Sequence, residues 1–487
     1  MLLNFALLFF NVILGQGLLY PQRNIIRGLD SLDGLWTFVL EDSLSGNAGI
    51  INKWYQKELR NFINATNFPV PAAFNELFNK HKERDHIGWV WYQTTYYRRK
   101  TDATKRLLLR FGSVNYHAIV YVNGEKLTEH IGGHLPFETE LPINTTEYKI
   151  TVAIRIVQNN EDIDIYTESF GFRSVEKKGN QIYVNGKQFY CYGFGMHEDY
   201  DLNGRGYSPV VMTKDLNMFE WLNANCYRTS HYPYSEERAY EADRRGIMVI
   251  TETLAVALNK FNDKMKNLHQ QMISETILRD QNHPSVFAWS LANEPSAGSN
   301  GSIPYFKALA DYTRTLDDRP VGIALGVGGD FGNRKELIEP FDFFGINHYE
   351  GWYKEMNHLE VVPDGLYDSI KSSYNAAKDK VLYLTEYGAE ALPGLSNEQS
   401  AVFSEQCQKD LIEKSFKALE RARTEGILAG EMIWNYADFM TYPSLTRPYG
   451  NHKGVLTRQR KPKLSAYLVQ ERYKHLSDNP NNQKEKL

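Results

Sequence analysis

From Phe189 onward, short apolar runs recur along this 487-residue chain, separated by longer stretches of mixed apolar and charged positions. The runs begin near Phe189, Cys226, Ile247, Val286, Val321, Phe341, Val381 and Ile427. A short continuous apolar run reads as a strand buried on both faces. The stretches between them, such as Lys214–Asn223, Ser235–Arg245 and Ala401–Arg423, read as amphipathic helices. Eight such alternations predict a (β/α)8 TIM barrel over residues 179–476.

The chain before it has a different rhythm. Gly34–Leu40, Trp89–Tyr92, Arg106–Phe111, His117–Val122 and Tyr148–Val157 are short strand candidates divided by polar turns. Asn123-Gly124 suits a tight hairpin, and Tyr183–Lys187 forms another. A β-sandwich or jelly roll over residues 18–157 is the natural architecture. The polar, acidic segment Gln158–Asp164 reads as a linker, and the charged tail 477–487 as disordered.

Composition narrows the function. The net charge is −4 and no basic run occurs, which disfavours nucleic acid as a partner. Residues 1–17 resemble a secretory signal, although no Lys or Arg precedes the apolar run. Sequons at Asn64, Asn144 and Asn300 fit export. No other stretch is long and apolar enough for a membrane span. The three cysteines, Cys191, Cys226 and Cys407, match no metal or redox spacing and read as buried packing residues without a disulfide.

Two barrel runs end in glutamate: Val286–Asn293 leads to Glu294, and Val381–Thr385 leads to Glu386. Barrel active sites lie at the C-terminal strand ends. There, a carboxylate buried without a partner costs free energy that only a function repays. Glycoside hydrolysis requires two carboxylates, one to protonate the leaving oxygen and one to attack or to activate water. The other strand ends deliver His197, Glu198, Arg228, His231, Glu252, Asn293, Asn347, His348, Tyr349, Trp434 and Asp438. Glu252 reads equally as a structural partner of Arg228, and Asp438 reads as structural.

Asn293-Glu294-Pro295, Thr385-Glu386-Tyr387-Gly388, Arg228–Pro233, Asn282–Ser285, Gly430–Phe439 and Gly454–Arg460 resemble glycoside hydrolase family 2, in its animal lysosomal β-glucuronidase branch. The resemblance implies an exo-acting, retaining β-D-glucuronidase with no metal or cofactor, placed in the lysosome or secreted. Its substrates would be terminal glucuronides of glycosaminoglycan fragments or small conjugates. It implies Glu294 as acid/base, Glu386 as nucleophile and Tyr349 as the group orienting that nucleophile. His197, Arg228, His231, Asn293 and Trp434 would line the sugar site. Asn451 and Lys453, with Arg447 nearby, would hold the C6 carboxylate through charge-assisted bonds. The family's assembly is a homotetramer.

The chain also departs from the family. About 150 residues are absent after Val157, comprising later jelly-roll strands and an immunoglobulin-like sandwich, of which 158–178 would be the remnant. An aspartate that reaches the sugar site goes with them, and Met196 replaces a usual lysine. A sandwich so shortened should expose sheet edges and apolar faces. Two alternatives stay open: a β-galactosidase or β-mannosidase type of the same family, or a catalytically impaired carbohydrate-binding paralogue or isoform.

Overall fold

The computed structural model describes residues 20–23, 28–41, 47–78, 80–86, 88–99, 105–142, 147–150, 153–155, 171–326 and 334–478. The leader 1–17, the sequon at Asn144, residues 158–170 of the linker and 479–487 of the tail lie outside them.

The predicted N-terminal strands form, with corrected limits. Gly34–Leu40 pairs antiparallel with Thr66–Val70 on one side and Val90–Tyr97 on the other, and Glu147–Ile150 extends that sheet. A second sheet runs Phe137–Glu140, Leu108–Phe111, Ala153–Arg155. The segment expected to be one strand, Tyr148–Val157, therefore splits and pairs with a different sheet on each side of the break. His117–Val122 and Glu125–Ile131 form the predicted hairpin, with Asn123 and Gly124 at φ 51° and 85°. Every second residue of His117–Val122 is buried, as a strand with one face on a core requires. Leu109, Phe111, Val120, Val122 and Phe137 supply that core. Leu35, Ile63 and Tyr97 stand exposed on this domain, in line with a shortened sandwich.

All eight barrel strands appear where the apolar runs begin: Cys191–Gly195, Cys226–Arg228, Met248–Glu252, Val286–Asn293, Val321–Gly326, Phe343–Asn347, Val381–Glu386 and Gly430–Ile433. They are parallel, and the first pairs with the eighth to close the barrel. Every residue of the fourth and seventh strands is buried, because helices cover the outer face and side chains fill the lumen. Ser208, Asn262 and Ser404 cap three of the helices by accepting from Val211, Met265 and Cys407 N–H groups.

Three expectations need correction. Val175–Lys178, placed in the linker, is a strand paired with Gln181–Val184. That small sheet sits on the N-terminal mouth of the barrel, where Ile182 and Val184 pack with Phe287, Phe343 and Tyr383. At the other end, the last helix, Leu464–Asp478, carries Ser477 and Asp478 within it instead of a disordered tail. Finally, Cys191 and Cys226 form a disulfide, with Cα atoms 5.6 Å apart. They lie on the first two barrel strands, whose register sets Gly193 opposite Cys226. The parallel pairing of these two neighbouring strands brings the residues together, and the 35-residue separation alone gave no sign of it. Cys407 is buried and free, as expected.

The two domains are joined by ion pairs with little water access. Arg110 bonds Glu138 at 2.9 Å within its own domain and Glu236 of the barrel at 2.6 Å. Arg458 bonds Glu76 at 3.1 Å, and His130 lies 3.3 Å from Glu275.

Candidate active site

The seventh strand carries Glu386 to the barrel mouth, where it is 5 % exposed. Its Oε1 accepts from Arg228 Nη2 at 2.6 Å, and its Oε2 accepts from the Tyr349 hydroxyl at 2.7 Å. His231 Nε2 lies 3.7 Å from Oε1. Burial raises the Glu386 carboxyl above its ordinary value; Arg228 and His231 draw it down, and the charge of Glu294 pushes it up again.

Arg228 is wholly buried and serves two carboxylates. Its Nη1 donates to Glu252 at 2.8 Å, and Glu252 also accepts from Ser290 at 2.7 Å and lies 2.7 Å from His231 Nδ1. Burial works against ionisation of Glu252, but Arg228 and His231 outweigh it and hold the carboxyl at about 2. Glu252 is thus the structural partner that one of its two sequence readings described.

Glu294 differs from expectation. It follows the fourth strand with φ 47°, and its side chain is exposed to the cleft, not buried. The backbone turns there, and the fully buried run of the strand stops one residue short of it. Glu294 Oε1 accepts from Asn347 Nδ2 at 2.9 Å. The same amide donates to Asn293 at 3.0 Å, and Thr385 donates to Asn347 at 2.7 Å. Asn293 in turn accepts from Arg228 at 3.4 Å. One hydrogen-bonded chain therefore connects the two glutamates.

The aromatic wall also assembles. Trp434 stacks on His231 at 5.0 Å with planes 9° apart. His197 meets Trp434 edge-on at 5.5 Å and packs on Phe439 at 4.0 Å. Met196 is buried, and its carbonyl accepts from the Tyr234 hydroxyl. Two of the strand-end residues turn away: Glu198 clamps Ser235 and Arg238, and His348 bonds Glu350 at 2.8 Å. Asp438 is structural, bonding Lys463 at 2.7 Å and the Gly454 N–H at 3.0 Å.

Lys453 reaches the site beside Tyr349, its ammonium 5.6 Å from that ring, but is not a free cation. Its ammonium donates to Glu390 at 2.6 Å and to the Tyr353 hydroxyl at 3.0 Å, and both charged side chains are fully buried. Arg447, half-buried, points a guanidinium nitrogen at the same hydroxyl, 3.5 Å away. Asn451 is buried with Oδ1 on the Lys453 N–H, while its Nδ2 has no partner. Glu390 and Tyr353 were missed from sequence. Glu390 lies four residues after Glu386 beyond the strand end, and nothing in its spacing marks it as a partner of Lys453.

Fold and site together define a glycosidase scaffold: two carboxylates at the ends of the fourth and seventh strands of a TIM barrel. Comparison with known proteins agrees. The profile of the TIM barrel domain of glycosyl hydrolases family 2 matches residues 175–477, and that of the family's sugar binding domain matches 29–178. The chain belongs to glycoside hydrolase family 2. The two matches overlap, which leaves no chain between them for a further domain. Beta-glucuronidase of Mus musculus is 32 % identical, covering 94 % of this chain and 92 % of its own. That alignment spans 603 positions, more than the chain has residues, so the relative carries segments absent here. Among solved structures, an uncultured Clostridium beta-glucuronidase superposes with TM-score 0.86 at 29 % identity, over 94 % of this chain and all of its own. The Ruminococcus gnavus b-glucuronidase in complex with D-glucuronic acid gives 0.84 at 27 %, over 93 % and 99 %.

Proposed function

We propose that the protein is a retaining exo-β-D-glucuronidase. The observation that carries this reading is the contrast between the two glutamates: Glu386 is buried and gripped by Arg228 and Tyr349, while Glu294 faces the open cleft. A nucleophile must be fixed in line with the anomeric carbon, and Glu386 has two donors that fix it. An acid/base must exchange protons with leaving groups and water, and Glu294 has that access.

The reaction follows from these roles. Glu386 attacks C1 as Glu294 protonates the glycosidic oxygen; the C1–O bond breaks and the alcohol leaves. Glu294, now ionised, takes a proton from water, whose oxygen displaces Glu386 from C1. Two inversions return the original configuration. Tyr349 and Arg228 hold the departing carboxylate as its charge returns, and Asn293 stands where it can meet the sugar's 2-hydroxyl.

The glucuronate preference rests on the cluster around Lys453, beside Tyr349. Asn451 offers an unpartnered amide donor, and Arg447 adds a second cation to Lys453 against the single charge of Glu390. That surplus matches one carboxylate. The relatives named beta-glucuronidase support the same choice. The buried Lys453–Glu390 pair favours a second reading, a glycosidase for neutral sugars, because this lysine is already neutralised. We further propose export to the lysosome or the cell exterior: Asn64 and Asn300 are exposed, and a Cys191–Cys226 disulfide suits an oxidising compartment.

A 2-deoxy-2-fluoroglucuronide with a good leaving group tests the mechanism. It should label Glu386, read by peptide mass spectrometry; a label elsewhere, or an inverted product by NMR, removes the retaining assignment.

A further inference from the structure

The N-terminal domain reaches the sugar site through one loop. Gly132 and Gly133 turn the chain after the Glu125–Ile131 strand, at φ 142° and 71°. A Cβ on Gly133 would lie 2.7 Å from Asn115 Oδ1, so a side chain there would push the loop away. The turn presents His134, whose ring stacks on Tyr232 of the barrel at 4.5 Å with planes 19° apart. Asn115 Nδ2 stands 3.5 Å from His134 Nε2. Burial, and then Arg205 and Arg279, hold the His134 imidazole neutral, with a pKa of about 3. The Arg205 guanidinium lies 5.4 Å from the centre of the Tyr232 ring.

Tyr232 is fixed in this way because of its hydroxyl. Among the described residues, two groups touch it: the Glu198 N–H at 3.2 Å and His197 Nδ1 at 3.1 Å. The amide can only donate, so the phenolic proton is left for the imidazole, and Nδ1 accepts it. Burial, followed by Arg205, His231 and Arg228, keeps His197 well below its ordinary value and therefore neutral. A neutral imidazole that accepts at Nδ1 carries its proton at Nε2.

We propose that His134 is a positioning residue contributed by the N-terminal domain: by stacking on Tyr232 it fixes the tautomer of His197, so that Nε2–H is offered to a sugar hydroxyl. The domain then completes the sugar site and is more than an appended module. Binding of the sugar to His197 rests on the glycosidase reading above; the tautomer does not.

Three variants and two readouts test this. Tyr232→Phe removes one oxygen and keeps the packing, while His134→Ala removes the stack and His134→Phe restores it. With a β-glucuronide substrate, Tyr232→Phe and His134→Ala should raise KM by about tenfold with kcat nearly unchanged, and His134→Phe should return to within about twofold of wild type. With 15N-labelled histidine, wild type should show His197 bare at Nδ1, and Tyr232→Phe should show a mixture of tautomers. Unchanged KM and unchanged His197 signals in both Tyr232→Phe and His134→Ala overturn the proposal. So does a His134→Phe variant as impaired as His134→Ala. If no glycoside is turned over by any form, the glycosidase reading fails while the nitrogen spectra still decide the tautomer.

Discussion

The two walls of the sugar site balance charge in opposite ways. On the nucleophile wall, one cation, Arg228, stands between two carboxylates, Glu252 and Glu386. On the second wall, beside Tyr349, two cations among the described residues, Lys453 and Arg447, gather around one tyrosine with a single carboxylate, Glu390. The first wall is left with negative charge, which on the proposed mechanism would stabilise an oxocarbenium-like transition state. The second is left with positive charge, which suits a uronate. The same ingredients, buried arginine or lysine and glutamate, thus do different work according to their ratio.

The largest disturbance should come from breaking the first wall. Arg228→Met strands two buried carboxylates, and removal of one partner from a buried pair costs about 3–5 kcal/mol. Chemical denaturation should show that loss, and turnover should fall at least about a thousandfold. The pH–kcat/KM profile of any residual activity should have its acid limb moved upward, since Arg228 is the main influence holding the Glu386 carboxyl down.

The second wall is harder to test with one substitution. Lys453→Met should also destabilise by about 3–5 kcal/mol, because Glu390 remains buried and unpaired. Lys453→Met with Glu390→Gln should recover most of the stability while keeping the defect toward glucuronides. Recovery of both would assign Lys453 to structure alone.

Arg447 allows a cleaner cut, because it is half-exposed. Arg447→Ala should reduce kcat/KM for a glucuronide by roughly tenfold to a hundredfold, as expected for loss of a charge-assisted bond. A neutral glucoside and the melting temperature should be nearly unaffected. Equal loss on both substrates would separate Arg447 from the carboxylate.

The smallest effect concerns pH. Glu252 is held at about 2 in the folded protein, against an ordinary value of 4.5. A lowered carboxyl stabilises fully above its unfolded value, and that contribution fades as pH falls from about 4.5 toward 2. Melting temperatures of Glu252→Gln should therefore depend less on pH across this window than those of wild type.

Much of this arrangement was legible from sequence because barrels write their topology as periodic apolar runs. The strand that begins at Val286 and the one that begins at Val381 start where the structure starts them, and their closing glutamates reach the mouth. Arg228, Tyr349, His231 and Trp434 also converge as their strand ends predict. What stayed hidden depends on contacts between strands or beyond them. The Cys191–Cys226 bond depends on the register between the first two barrel strands. The Lys453–Glu390 pair joins two loops after different strands. The exposure of Glu294 coincides with a positive φ at the end of the fully buried strand. The split of Tyr148–Val157 needs two sheets to be seen at once.

The central claim is hydrolysis of glucuronides by two glutamates, and the most direct measurement is turnover of a chromogenic β-glucuronide by purified protein from pH 4 to 7, beside Glu386→Gln. Wild type should release the chromophore, and the variant at equal folding should lose at least about a thousandfold. Equal turnover by both, or none from soluble and compact wild-type protein, would contradict it.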